Sequence, residues 1–168
     1  MILDRLSSRK SDSGAARRLH AWAVARARQP ILYAEMGVPD TVEGRFEILT
    51  LHVILLLDRL RHEAGDAIRA RQELFDVYLR DLDGALREMS VGDLAVGRRM
   101  RNLGEVFYGR AKAYDEAFAD LPDQRKLAGV VARTVLHEVE NPDPRPLANY
   151  VAQVRESLGR TKMDSLHP

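Results

Sequence analysis

Cysteine is absent from the 168-residue chain, which excludes disulfides, Cys-ligated zinc, iron–sulfur clusters and thiol nucleophiles together. Long apolar runs are absent too. The longest is Val53-Ile54-Leu55-Leu56-Leu57, broken by Asp58, far short of the roughly 20 residues that span a bilayer. Neither charge dominates: 26 Lys and Arg face 25 Asp and Glu, for a net of +1, which argues against binding nucleic acid through overall charge. Serine is missing from the middle, where Ser90 is the only one between 14 and 156 and no Gly-x-Ser-x-Gly surrounds it. Gly37-Val38-Pro39-Asp40 lacks the glycines and lysine of a phosphate loop, and Asn141-Pro142-Asp143 is not a glycosylation sequon. No two of the histidines His20, His52, His62, His137 and His167 stand at the i,i+4 spacing of a helical zinc site. The residues give little support for catalysis or for a metal site.

What is present suits one globular domain. Apolar residues make up 45% and charged residues 30% of the chain, a composition that excludes global disorder, and this length can bury a real core. Charge is uneven along it. Residues 1–30 hold Arg5, Arg9, Lys10, Arg17, Arg18, Arg26 and Arg28 against Asp4 and Asp12, leaving the remainder acidic. Such a start reads as a transit peptide, as a basic arm for anionic lipid or RNA, or as a frayed tail. Arg outnumbers Lys 22 to 4, a coding habit of GC-rich bacterial genomes; in a bacterium no transit peptide is needed.

The periods are helical throughout, and the pattern predicts an all-α, single-domain bundle of six or seven helices. Residues 1–12 read as a flexible tail, 13–159 as the domain and 160–168 as a C-terminal tail. Ser13 is placed to cap a helix to about Gln29, followed by a short turn over Ile31–Met36. Asp40 and Glu43 have the spacing of a capping box, and Val42, Phe46, Leu49, Val53, Leu56 and Leu60 recur at 3–4 residues. Apolar groups on the other faces make 42–64 the central helix, with Gly65 as its C-cap. Asp66 opens a helix to about Met89. After Ser90-Val91-Gly92, the helix 94–120 returns antiparallel with the stripe Val96, Met100, Leu103, Phe107, Ala111, Tyr114, Phe118 and Leu121. Pro122 opens a helix to about 139, and a last one carries Leu147, Tyr150, Val151, Val154 and Leu158 up to Gly159.

Some residues within these helices invite a second reading. His52 lies on the buried helix, as a hydrogen-bonded neutral core histidine or as a functional group. Asp58 and His62 stand four apart, a surface contact rather than a metal site. Asp76 and Asp83 share a face, and Asp83 with Arg87 is an ordinary i,i+4 pair. Gly97, Gly104 and Gly109 interrupt the helix 94–120, each at a cost of about 1 kcal/mol relative to Ala. Gly97 and Gly104, seven apart, either pack tightly in the bundle or keep a groove open for a partner helix.

Two stretches carry a resemblance. One runs from Leu32-Tyr33-Ala34-Glu35-Met36-Gly37-Val38-Pro39-Asp40-Thr41-Val42-Glu43-Gly44-Arg45-Phe46-Glu47 through Thr50-Leu51-His52-Val53 to Arg59-Leu60-Arg61. The other runs from Leu74-Phe75-Asp76 through Asp81-Leu82-Asp83, Leu86-Arg87-Glu88-Met89 and Val91-Gly92-Asp93 to Phe107-Tyr108-Gly109-Arg110 and Ala113-Tyr114-Asp115. Over about 30–120 the chain resembles the ubiquinol–cytochrome c chaperone family, in the wording of its alphaproteobacterial branch. The resemblance implies an all-α, non-enzymatic assembly chaperone that holds newly made cytochrome b, with no cofactor of its own. Its partners would be cytochrome b, a ribosome or anionic membrane surface, and a small partner protein. It would work in the cytoplasm, peripheral to the inner membrane, or in the matrix if mitochondrial. The shared residues Tyr33, Asp40, His52, Arg59, Gly109, Arg110, Tyr114 and Asp115 serve either the fold or the client. Gly97 and Gly104 are candidate groove residues, and Arg5, Arg9, Lys10, Arg17 and Arg18 the candidate arm. Other readings are a peripheral adaptor binding through that arm, and a small-molecule or lipid binder.

Overall fold

The computed structural model describes the backbone of residues 2–63, 67–88 and 93–168, and the side chains of residues 14–63, 68–88 and 102–168. Seven α-helices follow one another among these residues: α1 (Ile2–Ala27), α2 (Pro30–Ala34), α3 (Val42–Arg61), α4 (Ala67–Glu88), α5 (Asp93–Ala119), α6 (Arg125–Arg133) and α7 (Arg145–Arg160). A 3₁₀ turn at Met163–Ser165 closes the chain, and no strand occurs among the described residues. Helix α3 is the axis, with α1, α4, α5 and α7 against it. Its run Ile48, Thr50 to Asp58 and Leu60 is buried, as expected of a helix apolar nearly all round.

The start of α3 differs from the expected capping box. Thr41, not Asp40, is the N-cap: its Oγ1 accepts a hydrogen bond from the Gly44 amide at 3.0 Å. Asp40 is left free to take the Arg45 guanidinium at 2.6 Å. Gly44 is dictated by a close approach, since a Cβ there would fall 2.1 Å from the Pro39 carbonyl oxygen. The loop before it turns at Gly37, whose φ of +75° is a left-handed conformation that glycine adopts without a steric penalty.

Other boundaries also shift. Helix α1 begins at Ile2, so Ser13 is interior to the helix rather than a cap. Pro122 does not open α6, which starts at Arg125 and stops at Arg133. There the Asp123 carboxylate accepts from the Arg125 amide at 3.0 Å and supplies the start signal instead. Helix α7 runs one residue past Gly159. The caps expected of Gly65 and Asp66, and the Ser90-Val91-Gly92 connector, lie outside the described residues. The stripe of α5 is on the core side where it is described: Phe107, Tyr114 and Phe118 are buried.

Candidate functional site

The residues singled out in the sequence fall into two groups. One is locked into the bundle. The His52 imidazole is fully buried, with Nδ1 2.8 Å from the Ile48 carbonyl and Nε2 2.8 Å from the Tyr150 hydroxyl. Burial pulls its pKa down to about 4, so it is neutral at pH 7. The carbonyl can only accept, which puts the proton on Nδ1, leaves Nε2 as acceptor and makes the Tyr150 hydroxyl the donor. Tyr33 donates to the Ala27 carbonyl at 2.7 Å and pins α2 to the end of α1. Arg59 donates through Nε to the Leu158 carbonyl at 2.7 Å and through Nη2 to the Thr161 carbonyl at 3.3 Å, satisfying carbonyls at the end of α7. Tyr114 is buried, its hydroxyl 3.0 Å from Thr134 Oγ1, and burial pushes its pKa up.

Ion pairs bind the same framework. Arg110 on α5 grips Glu47 on α3, with Nη2–Oε1 at 2.9 Å and Nε–Oε2 at 3.1 Å. The Glu47 side chain is only 7% exposed, so the two-pronged contact replaces the water it has lost. Asp115 accepts from Arg61 at 2.7 Å. Asp58 accepts from Arg155 at 2.8 Å, and that guanidinium also lies 4.9 Å from the centre of the Phe118 ring. Asp58 is therefore an ion-pair partner to α7, while His62 caps the end of α3.

Glu47 and Arg155 were missed in the sequence. Glu47 carried a signal, a carboxylate on the helix read as buried all round. Arg155 carried none, since its partner is 97 residues away. The Asp83–Arg87 pair forms as expected, at 2.8 Å.

The second group stands open. A Cβ at Gly104 or Gly109 would meet nothing within 4 Å, so tight packing is not what these glycines serve. Between them Tyr108 is 66% exposed, with its ring 5.8 Å from Phe75 on α4. Aromatic contacts continue inward from Phe75 to Phe107 at 4.7 Å and from Phe107 to Tyr78 at 5.5 Å. The outer face of the α4–α5 pair thus offers an aromatic group flanked by bare backbone and braced from beneath. Gly97, Arg5, Arg9 and Lys10 have described backbone within α5 and α1, but their surroundings and side chains lie outside the described part. Arg17 is exposed, and Arg18 lies 3.8 Å from Asp164. Asp40, exposed with its Arg45, borders an open cleft of about 790 Å³ together with Tyr33 and Leu49. No described helix is long and apolar enough to cross a membrane.

This geometry meets three comparisons with known proteins. Residues 34–167 match the model of the family described as Ubiquinol-cytochrome C chaperone. The chain is 26% identical over 144 residues to Ubiquinol-cytochrome-c reductase complex assembly factor 1 of Xenopus laevis, covering 86% of this chain and 70% of that protein. The corresponding factor of Mus musculus is also 26% identical, but there the match spans 48% of the relative. The crystal structure of the Cbp3 homolog from Brucella abortus superposes with a TM-score of 0.82 at 38% identity, covering 99% of this chain and 92% of that one. With its all-helical fold and a family match extending over most of its length, the chain belongs to the ubiquinol–cytochrome c chaperone family.

Proposed function

We propose that the protein is a non-enzymatic assembly chaperone that holds newly made cytochrome b for the ubiquinol–cytochrome c reductase complex. The observation that carries this reading is the family match over residues 34–167, on a fold shared at 38% identity with the Brucella abortus homolog. The structure adds a physical route. A membrane-protein client presents apolar helices that need cover in water. Most of the side chains that the resemblance singled out are engaged in contacts between helices of the bundle. The outer face of α4–α5 remains available, with Tyr108 as an aromatic anchor and Gly104 and Gly109 admitting close backbone approach.

The test is capture in the native host. A tagged chain should co-purify cytochrome b during synthesis, and its deletion should lower the b-type haem absorbance of isolated membranes. Recovery of other membrane proteins with cytochrome b at background would sink the proposal.

A further inference from the structure

A cleft of about 410 Å³ lies between the end of α1, the outer face of α7 and the returning C-terminal segment. Its walls include Trp22, Arg26, Tyr150, Gln153, Ser157 and Leu166. The volume is in the range of small-molecule sites, which combine an apolar wall with a few convergent polar groups. Trp22 and Leu166 are buried and supply the apolar part. The Arg26 guanidinium rests on the Trp22 ring, 5.3 Å from its centre, a contact that orients the planar group.

The charge balance here is one-sided. No carboxylate lines the cleft, whose basic side chains are Arg26 and His167. Arg26 is exposed and forms no ion pair among the described residues. Elsewhere on this surface the guanidiniums of Arg45, Arg61, Arg125 and Arg145 each have a carboxylate within 3 Å, while Arg28 and Arg133, like Arg26, form no ion pair among the described residues. A place in the last turn of α1 explains a cation at 26, but not the missing counter-charge. Two further donors are unused: the Gln153 amide and the Ser157 hydroxyl are exposed and make no hydrogen bond among the described residues. The other hydroxyls of the cleft are committed. Tyr150 donates to His52, Thr161 to the Ser157 carbonyl at 2.8 Å and Ser165 to the Lys162 carbonyl at 2.7 Å.

We propose that this cleft binds a single-chain carboxylate amphiphile, its carboxylate meeting Arg26, Gln153 and Ser157 and its apolar end lying along Trp22 and Leu166. A planar guanidinium fork beside neutral donors matches a carboxylate, and the apolar wall sets the requirement for a hydrocarbon body. The site shares no lining residue with the α4–α5 face and does not depend on how the client is held.

The chain has one tryptophan, so its emission reports this cleft directly. Sodium decanoate, titrated below its micelle concentration into the full chain, should give a saturable change in Trp22 emission with matching calorimetric heat. Arg26→Gln should weaken binding by at least about tenfold, because a charge-assisted hydrogen bond is lost. Decanol should bind at least about tenfold more weakly than decanoate, and acetate should not saturate. Ser157→Phe, introduced at an exposed position, should block binding without changing the melting temperature. Equal binding of decanol and decanoate, full binding by Arg26→Gln, or no saturable signal from decanoate would each overturn the proposal.

Discussion

At His52, burial holds the imidazole neutral down to about pH 4, whereas the unfolded chain takes up its proton near 6.5. The unfolded state therefore binds more protons between these values, and stability must fall as the pH drops through that window. The contribution is complete above pH 6.5 and amounts to about 3 kcal/mol when lost. Melting followed from pH 7 to pH 4 should show this slope, and His52→Gln should flatten it while lowering stability at pH 7 through the lost Tyr150 bond. An unchanged slope in the variant would assign the effect to other groups. The buried Glu47 gives a second residue-scale expectation. Arg110→Met leaves its carboxylate without a partner and should cost about 2–3 kcal/mol in urea unfolding, toward the low end for a buried pair because the Arg110 side chain is 30% exposed. The double variant Glu47→Gln, Arg110→Met should recover part of that loss. Sequence reasoning placed His52 in the core because a run of neighbours is apolar on every side. It could not see Tyr150, which is 98 residues away. The eight residues picked from the resemblance show the same limit: the motif names them, and only the packing shows that His52, Arg59, Arg110 and Tyr114 join helices of the bundle.

The glycines separate two kinds of helix. In the first turn of α3, Gly44 has the Pro39 carbonyl where a Cβ would stand, so Gly44→Ala must displace the backbone of the loop and should destabilise by about 2 kcal/mol or more. On α5, Gly104 has open space, so Gly104→Ala should leave stability unchanged or raise it by up to about 1 kcal/mol. Thermal melts of the two variants side by side check both expectations. Gly104→Leu then tests the proposed client face: melting should hold while capture of cytochrome b falls. A variant that melts normally and still supports full cytochrome b assembly would remove this strip from the proposal. Elements with a strong period were legible before any coordinates: α3, α4 and α5 are found within a few residues of their expected limits. Boundaries set by local chemistry were not. The Thr41 cap competes with Asp40 one residue away, and Asp40 goes to Arg45 instead. Helix α1 continues through Ser7, Ser8, Ser11 and Ser13, residues that individually favour caps and turns.

Over the whole molecule, charge is nearly balanced at +1 but concentrated at the start. The continuity of α1 from Ile2 puts Arg5, Arg9 and Lys10 on the same helix that packs against α3 and α4 from Ala16 onward. On a helix these basic positions follow a regular spacing, and their contacts with an anionic surface would add to one another. We propose that these three residues dock the chaperone on anionic lipid or ribosomal RNA. Truncation is a poor test, because removing residues up to 18 would also take the buried Ala16 and the Arg18–Asp164 contact. Replacing Arg5, Arg9 and Lys10 together by Gln keeps the length of α1. Co-sedimentation with anionic vesicles and, separately, with ribosomes should show binding that weakens with salt. If each side chain meets one phosphate, the triple variant should reduce the slope of log affinity against log salt by roughly 2–3. Loss on vesicles alone would assign the arm to the membrane, and loss on ribosomes alone to RNA. Equal binding and an equal slope for both chains would leave the basic start without a docking role, and the whole of the recognition would then fall to the surface of the bundle.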